Sequence, residues 1–443
     1  MRILKQIYIN NISFYILIGL IILSVFGNYF PIFFSISVVL FYLFTATVFI
    51  DLLMLFTNKK GITSTRIVPD KLSNGDENEI IIEVKNNYGI NISIKIIDEL
   101  PIIFQEREFE INSNLKSGET KLFKYNLTPK TRGEYHFGIT NIYAKASLGL
   151  FSKRYKLNYN QTAKVYPSFI QMRKYELLAV THNKTSLGIK KIRRIGNQTE
   201  FEQIKEYVKG DDFRTINWRA TARKNQLMVN QYQEEKAQEI YSIIDLSRTM
   251  KMPFNQMRLI DYAINTSLVL SNTSLIKEDK AGLITFSNTI HSIKKAERRN
   301  LTMKSIMELL YREKTNFFEA DFEKLYITIK RNINQRSLLF LYTNFEGFTS
   351  LKRQINILRK INQSHLLVIV FFENSEICNI AKQKSDTIED IYTSTMAETS
   401  VFEKNKIVNE LRKYGIISIL TTPENITVNT INKYLEIKES GLI

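Results

Sequence analysis

Two long apolar stretches without a single charge stand near the start of this chain. They cover residues 8–26 (YINNISFYILIGLIILSVF) and residues 31–50 (PIFFSISVVLFYLFTATVFI). Because a helix needs roughly 20 mostly apolar residues to cross the hydrocarbon core of a bilayer, each stretch is long enough to span a membrane. A cleaved signal peptide is the alternative for the first stretch, but no small-residue cleavage site follows it and the second stretch begins at once. We therefore predict a transmembrane helical hairpin over residues 1–60.

The charges that flank the hairpin predict its orientation. No charge lies between the two stretches, whereas lysine and arginine lie outside them, at Arg2, Lys5, Lys59, Lys60 and Arg66. Positively charged flanks stay on the cytoplasmic side of the membrane. We therefore expect a multi-pass protein of the inner (cytoplasmic) membrane with both termini in the cytoplasm. Asp51, at the end of the second stretch, is expected at the membrane interface and is assigned no role.

The pattern changes to short alternating runs over residues 61–166. Examples are EIIIEVKN at 79–86, TKLFKYNL at 120–127 and GEYHFGITNIYAK at 133–145, and turn residues such as Ser73-Asn74-Gly75-Asp76 separate them. Short alternating strands with turn signals at this spacing are typical of a small β-sandwich. We expect this region to have a structural role.

Apolar, β-prone runs recur again over residues 237–443, and here helical periodicity fills the gaps between them. The runs are EIYSIIDLS (239–247), AGLITFS (281–287), SLLFLYTN (337–344), HLLVIVFFE (365–373) and GIISILTT (415–422). Strand–helix–strand repeats predict an α/β domain with a doubly wound parallel sheet and helices on both faces. Functional sites in such domains lie at the carboxyl ends of the strands.

A dense polar block lies within the connecting residues 167–236. It contains the only tryptophan, Trp218, in a run of paired charges. Adjacent carboxylates suggest acid/base or metal chemistry, but neither histidine nor cysteine accompanies them over residues 196–236. Structural ion pairing is the favoured interpretation. The alternative is a cell-envelope hydrolase or adhesion-type enzyme that uses Glu202, Asp211 and Asp212, and the predicted cytoplasmic orientation argues against it.

The order of residues in this block, E-Y-x-x-G-D-D-x-R-x-I-x-W-x-A-T-A-R, resembles the signature of the bacterial domain-of-unknown-function family fifty-eight. Further landmarks similar to that family are DELP (98–101), KTRGEYHFG (130–138), ASLGLF (146–151) and VYPSF (165–169), with Ala146-Ser147 in place of the usual aspartate-proline. The resemblance implies a von Willebrand factor A-like α/β domain and a MoxR-type AAA+ ATPase as partner. The residues that we assign to the signature and to interaction are Glu202, Tyr207, Gly210, Asp211, Asp212, Arg214, Trp218, Arg219 and Arg223.

A candidate metal site follows the first strand of the α/β region. Asp245, Ser247 and Thr249 place a carboxylate and two hydroxyls on one side of a loop. These groups are hard oxygen ligands that suit Mg²⁺. The pattern resembles the metal-ion-dependent adhesion site of von Willebrand A domains, in which a threonine and an aspartate complete the set. Thr315 stands for that threonine, and Asn344 stands where the carboxylate is expected. The lost charge should lower cation affinity, so a vestigial loop held by hydrogen bonds of Asp245 is the other interpretation.

The remaining sequence features exclude several classes of protein. The chain has no phosphate-binding loop, dinucleotide fingerprint, zincin motif or nucleophile elbow. The histidines His136, His182, His291 and His365 are scattered, and Cys378 is the single cysteine. The net charge of +17 fits either an anionic membrane surface or a solvated lysine-rich face, and the second is the favoured interpretation. Since no RNA-binding motif or zinc-finger spacing occurs, we do not expect nucleic acid as a partner.

These observations combine into one expectation. The chain is predicted to be a non-catalytic, membrane-anchored module that faces the cytoplasm and binds a protein partner, with a MoxR-type AAA+ ATPase implied by the family resemblance. Beyond a possible Mg²⁺ ion at the degenerate adhesion site, no cofactor is expected.

Overall fold

The chain divides into two units, Met1–Tyr166 and Pro167–Ile443. The predicted hairpin and sandwich fall in the first unit, and the polar block and the α/β region fall in the second. The computed structural model describes residues 6–27, 29–58, 60–106, 109–180, 199–208, 211, 213–234, 237–255, 257–298, 300–383 and 387–442.

Among the described residues of the first unit, one helix is long and apolar enough to cross a membrane. The unit begins with β1 (Ile7–Ile9), α1 (Asn11–Phe26) and α2 (Pro31–Phe56). Helix α2 has 26 residues, a mean hydropathy of 2.3 over its most apolar window and only 11% of that window buried. Helix α1 is apolar too but has 16 residues, fewer than a full span needs.

The first apolar stretch is shorter as a helix than the sequence suggested because its start is a strand. Strand β1, which includes Tyr8, pairs antiparallel with residues 151–153. The Asn10 side chain donates to the carbonyl of Gly149 and accepts from the hydroxyl of Ser152, and the Ser13 hydroxyl donates to the carbonyl of Leu150. These polar side chains satisfy backbone groups of the β-rich region, so the helix begins only at Asn11.

The described residues of the β-rich region form ten further strands in three sheets. The strands are β2 (Ile62–Ile67), β3 (Lys71–Ser73), β4 (Asn78–Asn86), β5 (Ile92–Asp98), β6 (Glu110–Leu115), β7 (Thr120–Leu127), β8 (Gly133–Phe137), β9 (Thr140–Lys145), β10 (Phe151–Leu157) and β11 (Gln161–Tyr166). The sheets have the orders β1-β10-β9-β5-β6, β3-β11-β8 and β2-β4-β7. Alternate residues of these strands share one apolar core, which includes Ile82, Ile96 and Phe137. The β-rich character predicted for residues 61–166 is confirmed.

The end of α2 is bonded to this β-rich region. Asp51 is fully buried, and its carboxylate accepts a hydrogen bond of 2.9 Å from the backbone N–H of Phe151. Lys153 donates to the carbonyl of Leu55. Asp51 is therefore a bonded contact of the helix with β10 rather than an open interfacial charge. Arg66, which is one of the flanking charges in the sequence, is buried and paired with Asp98.

The second unit alternates strands and helices. Its elements are α3 (Phe169–Val180), β12 (Thr199–Glu206), α4 (Trp218–Lys224), β13 (Met228–Glu234), β14 (Glu239–Asp245), β15 (Pro253–Phe254), β16 (Met257–Arg258), α5 (Leu259–Ile276), β17 (Lys280–Phe286), β18 (Ile290–Glu297), α6 (Asn300–Arg312), α7 (Phe322–Asn332), β19 (Leu338–Tyr342), α8 (Phe348–Ser364), β20 (Leu366–Phe372), α9 (Ser375–Lys382), α10 (Ile388–Lys413), β21 (Ile417–Thr421) and α11 (Ile426–Glu439).

A six-stranded sheet organises this unit, in the order β18-β17-β14-β19-β20-β21. The pairs from β17 to β21 are parallel, and β18 is an antiparallel edge strand. One apolar core joins alternate strand residues to α5, α6 and α11, and a second joins the opposite residues to α7, α8 and α10. Helices therefore cover both faces, as the apolar runs predicted. The antiparallel strand β18 was not predicted, because its alternating IHSIKKAE pattern carries no signal of direction.

A separate two-stranded hairpin lies before this sheet. Strands β12 and β13 pair antiparallel from Thr199 with Glu234 to Glu206 with Met228. Helix α4 lies in the connection between them. The polar block of the sequence is therefore a β-hairpin with a helical insertion.

Candidate functional site

The carboxyl edge of the six-stranded sheet is the first candidate site. The chain leaves the first strand, β14, at Asp245, and β17 and β19 lie on the two sides of β14. The order of the strands therefore reverses at β14, and the crevice between its end and the end of β19 is where doubly wound sheets bind ligands. Asp245 and Asn344 stand at these two ends.

Asp245 is buried and holds the crevice together by hydrogen bonds. Its carboxylate accepts from the backbone N–H of Ser247 at 2.8 Å and from the hydroxyl of Thr343 at 2.7 Å. The hydroxyls of Ser247 and Thr249 lie 3.1 Å apart and share a hydrogen bond. Burial raises the pKa of the Asp245 carboxyl, and the hydrogen bonds from Thr343 and Ser247 act in the opposite direction. The acidic residue and both hydroxyls of the predicted loop thus lie together.

Thr315 belongs to a loop that runs against the Asp245 loop. The backbone N–H of the neighbouring Asn316 donates to the carbonyl of Leu246, and the backbone N–H of Arg248 donates to the carbonyl of Phe318. The Thr315 hydroxyl oxygen is buried and has no hydrogen-bond partner among the described residues. A buried hydroxyl without a partner fits a group that awaits a ligand or an ordered water.

Asn344 is already bonded, which the sequence could not indicate. Its side-chain oxygen accepts a hydrogen bond of 2.8 Å from the ammonium group of Lys404, which also donates to the carbonyl of Phe345 at 2.6 Å. Lys404 comes from the middle of α10, 60 residues further along the chain. Burial lowers the pKa of Lys404 to about 8, against the opposing effect of Glu346, Glu373 and Glu403.

Several cavities open at this edge, and two of them are lined by residues of the candidate site. A small one of about 50 Å³ is lined by Asp245, Ser247, Thr249, Thr343 and Asn344, among others, and is large enough for an ion or a water molecule. A larger one of about 380 Å³ lies towards α9 and α10, and its lining mixes apolar groups with Arg248, Glu346, Glu373 and Lys404. No described residues form a cluster of three or more His, Cys, Asp or Glu side chains that could hold a metal.

The donors fit a Mg²⁺ ion only in part. Asp245, Ser247 and Thr249 supply hard oxygens at one cavity, and the unpartnered Thr315 hydroxyl suits the same chemistry. Asn344 does not fit, because its side-chain oxygen already accepts from the Lys404 ammonium group, and a metal ion at that oxygen would meet this positive charge. The residue set as a whole therefore does not match the cation site that the sequence suggested.

The hairpin of β12 and β13, which we call the signature hairpin, is the second candidate site. The carboxylate of Asp211 has a structural role in it. Asp211 accepts from the backbone N–H of Val208 at 3.0 Å and pairs with Lys205 at 3.0 Å. These two contacts lower the pKa of Asp211. The backbone N–H of Tyr207 donates to the carbonyl of Leu227 across the hairpin. Asp211 thus closes a turn and is unsuited to act as a general acid.

Helix α4 is also held by side chains of the signature. The Asn217 side chain caps the helix by accepting from the N–H of Ala220 at 3.0 Å, and its amide group donates to Asn230. The Thr221 hydroxyl accepts from the N–H of Met228. Neither Asn217 nor Thr221 was singled out from the sequence, although an asparagine before a short helical run is a recognisable cap signal.

The other side chains of α4 point to a different role. Trp218 is 69% exposed, and Arg219 and Arg223, one helical turn apart, are exposed as well. None of these three has a hydrogen bond or an ion pair with another part of the chain that the structure describes. Nearby Phe213 is 71% exposed. We call Phe213, Trp218, Arg219 and Arg223 the signature surface.

Several predicted residues of the signature cannot be placed. Gly210 and Asp212 lie outside the described residues, and so do the side chains of Glu202 and Arg214. The proposed cluster of Glu202, Asp211 and Asp212 is therefore described only at Asp211.

These features define an α/β-sheet protein with a signature hairpin before the sheet and, at the carboxyl edge, a loop of Asp245, Ser247 and Thr249 that we call the acid-and-hydroxyl loop. Residues 203–378 match the model of the family described as "Protein of unknown function DUF58". The resemblance inferred from the signature block is confirmed.

One curated relative is the "Uncharacterized protein YeaD" of Bacillus subtilis (strain 168), which is 26% identical over 121 residues. That match covers 27% of this chain and 30% of the relative. The chain thus spans less than a third of the relative's length in this match.

Parts of the chain are similar to solved structures. The conserved hypothetical protein BatB from Bacteroides thetaiotaomicron aligns at 13% identity and a TM-score of 0.29, over 45% of this chain and 98% of that one. The CARDB domain of the PF1109 protein from Pyrococcus furiosus aligns at 19% identity and a TM-score of 0.17, over 24% of this chain and 91% of that one. At these TM-scores neither likeness identifies a fold for the chain.

Proposed function

We propose that this protein is a non-catalytic, membrane-anchored module that binds a protein partner through the signature surface. The observation that carries the proposal is the contrast within the hairpin. Asp211, Asn217 and Thr221 are bonded within the hairpin. Trp218, Arg219 and Arg223 are exposed, and tryptophan and arginine are the residue types most enriched where protein partners bind tightly.

The apolar surface of helix α2 supports the membrane part of the proposal. Helix α2 is long, apolar and largely exposed, and an exposed apolar helix of this length requires a hydrophobic surrounding. We propose that α1 also crosses this membrane and that local thinning of the bilayer accommodates its 16 residues, which makes a hairpin and leaves both ends in the cytoplasm. Lys60 and the N-terminal Arg2 and Lys5 are the positive charges that favour this orientation.

The partner that we propose is a MoxR-type AAA+ ATPase, and we propose that the α/β domain that follows the signature hairpin is von Willebrand factor A-like. The parallel sheet with helices on both faces and the Asp245-x-Ser247-x-Thr249 loop after its first strand support that architecture. The partner is inferred from the family resemblance alone. We therefore propose a role in assembly rather than in catalysis.

The envelope-enzyme alternative has little support from the described residues. The carboxylate of Asp211 is engaged by Lys205 and by a backbone N–H, and its lowered pKa keeps it ionised at neutral pH. An acid/base pair needs one carboxyl with a raised pKa. We therefore propose no reaction for this site.

Co-purification tests the partner. The full chain is isolated from solubilised, lightly cross-linked membranes with and without nucleotide, and bound proteins are identified by mass spectrometry. We expect a MoxR-type ATPase with the parent chain and its loss with Trp218→Ala and with Arg219→Gln/Arg223→Gln. Tyr159→Ala is the matched control, because Tyr159 is 62% exposed and lies in the first unit. Equal recovery from all variants, or absence of the ATPase from the parent, would contradict the proposal.

A labelling experiment tests the orientation independently. Cysteine variants at exposed positions such as Ser117, in a background in which Cys378 is replaced by serine, are treated in intact cells with a membrane-impermeant maleimide. We expect labelling only after the cells are opened. Labelling in intact cells would place the β-rich region outside the cytoplasm and would remove the proposed ATPase as a partner.

A further inference from the structure

The residue that departs from the adhesion-site pattern, Asn344, contacts a charged group of the protein itself. Lys404 reaches it from α10 and gives hydrogen bonds to the Asn344 side-chain oxygen at 2.8 Å and to the Phe345 carbonyl at 2.6 Å. An amide oxygen and a carbonyl oxygen are neutral acceptors with the hardness that a divalent cation prefers. Here both are occupied by a cation that is covalently part of the chain.

The surroundings of Lys404 are those of a bound cation. Its ammonium lies 5.8 Å from the centre of the Phe371 ring, within the range of a cation–π contact. Glu346, Glu373 and Glu403 act on it electrostatically, although no described carboxylate lies within salt-bridge distance. Oxygen acceptors, an aromatic face and a diffuse negative field therefore hold one positive charge at this edge.

A second fixed cation lies on the rim of the same edge. The guanidinium group of Arg248 is 3.3 Å from Glu346 and 3.5 Å from Glu319, and Arg248 lines both cavities. Arg248 directly follows Ser247 in the acid-and-hydroxyl loop. Lys404 and Arg248 thus both bring positive charge to the ends of β14 and β19, and Arg353 also lines the small cavity.

We infer that Lys404 is the resident cation of this site, and that the carboxyl edge is built to keep its structure without a divalent metal ion. The Asn344 amide is part of that arrangement, because it accepts from an ammonium group without adding a second negative charge beside Asp245. A metal ion placed near Lys404 would meet repulsion from a charge that cannot diffuse away. This inference is independent of the proposed partner.

Mn²⁺ binding to the full chain in detergent micelles tests the inference, with the free Mn²⁺ signal in electron paramagnetic resonance as the readout. We expect no stoichiometric site in the parent at micromolar Mn²⁺. The double variant Asn344→Asp/Lys404→Met should bind one Mn²⁺ at least about tenfold more tightly than the parent, because it removes the repelling charge and restores a carboxylate. Adding Asp245→Ala to it should abolish that binding.

Two further variants complete the experiment. Lys413→Met, at the exposed end of the same helix, is the matched control and should behave as the parent does. If circular dichroism shows that the double variant is unfolded, Lys404→Gln alone should still bind Mn²⁺ more tightly than the parent. Stoichiometric Mn²⁺ binding by the parent that Asp245→Ala removes would overturn the inference. Folded Lys404 variants that bind no better than Lys413→Met would overturn it too.

Discussion

Arg66 and Asp98 form a fully buried ion pair in the β-rich unit, with 2.6 Å between Nη1 and Oδ1. The Asp98 carboxylate also accepts from the hydroxyls of Tyr125 and Thr140, and Arg66 donates to the carbonyls of Gly138 and Asn158. Strands β2, β5, β7 and β9 and two loops therefore meet at one polar cluster. Asp98 is the first residue of the DELP landmark, and Gly138 is the last residue of KTRGEYHFG. Both motifs therefore supply a group to this polar cluster.

Breaking this pair on one side should destabilise the unit strongly. We expect Arg66→Met or Asp98→Asn to lower the free energy of unfolding by about 3–5 kcal/mol, since each leaves a buried group uncompensated. Thermal and chemical unfolding followed by circular dichroism measure the loss. Lys124→Gln is the control, because Lys124 and Glu79 form a half-exposed pair worth at most about 1 kcal/mol. A loss at Arg66 no larger than at Lys124 would contradict the role of the cluster.

His365 should make the stability of the α/β unit sensitive to mild acid. It follows α8 directly and is 5% exposed, and burial lowers its pKa from the ordinary value of 6.5. As the pH falls below 6.5 the unfolded state takes up the proton first, so the free energy of unfolding should fall with decreasing pH until the lowered pKa is reached. The slope for one proton cannot exceed about 1.4 kcal/mol per pH unit.

Denaturant unfolding at pH 7.5, 6.5 and 5.5 measures this dependence. His365→Gln should flatten the curve in that window, whereas His136→Gln, on the exposed face of β8, should leave the curve unchanged. An identical slope for the parent and for His365→Gln would show that other groups cause the dependence.

In the signature hairpin, the substitutions that impair partner binding should differ from those that lower the free energy of unfolding. We expect Trp218→Ala and Arg219→Gln/Arg223→Gln to change the free energy of unfolding by no more than about 0.5 kcal/mol, because these side chains are exposed. Asn217→Ala should cost about 1 kcal/mol, because it removes the helix cap. Thermal unfolding by circular dichroism distinguishes them. Large destabilisation by Trp218→Ala would mean that this side chain packs within the protein, and would undermine the proposed docking role.

Cys378 should react slowly with alkylating agents. Burial, together with a hydrogen bond to Glu373, raises the pKa of its thiol to about 11 from 9.0. Because only the thiolate attacks, the reactive fraction at pH 8 should fall on the order of a hundredfold. Iodoacetamide kinetics on the native chain and on the urea-unfolded chain measure the difference, and Glu373→Gln should speed the native reaction. Equal native and unfolded rates would rule out this protection.

The sequence alone determined the type of secondary structure in each region. The uncharged run at residues 31–50 predicted an apolar helix that is observed as α2, and the strand runs from 239 to 422 are observed within a residue or two as β14, β17, β19, β20 and β21. The spacing of apolar residues predicts helices and strands because it reflects which side chains of each element are buried. The family signature was likewise recognisable from residue order.

Tertiary structure decided which side chains meet. The pairing of Tyr8 with β10 shortened the first apolar helix, and β18 took an antiparallel edge that no local pattern specifies. Asp245, Ser247 and Thr249 could be grouped in advance because they share one loop. The contact of Lys404 with Asn344 could not, since it joins residues 60 positions apart through the packing of α10 on the sheet, and packing is set by the whole core rather than by either segment.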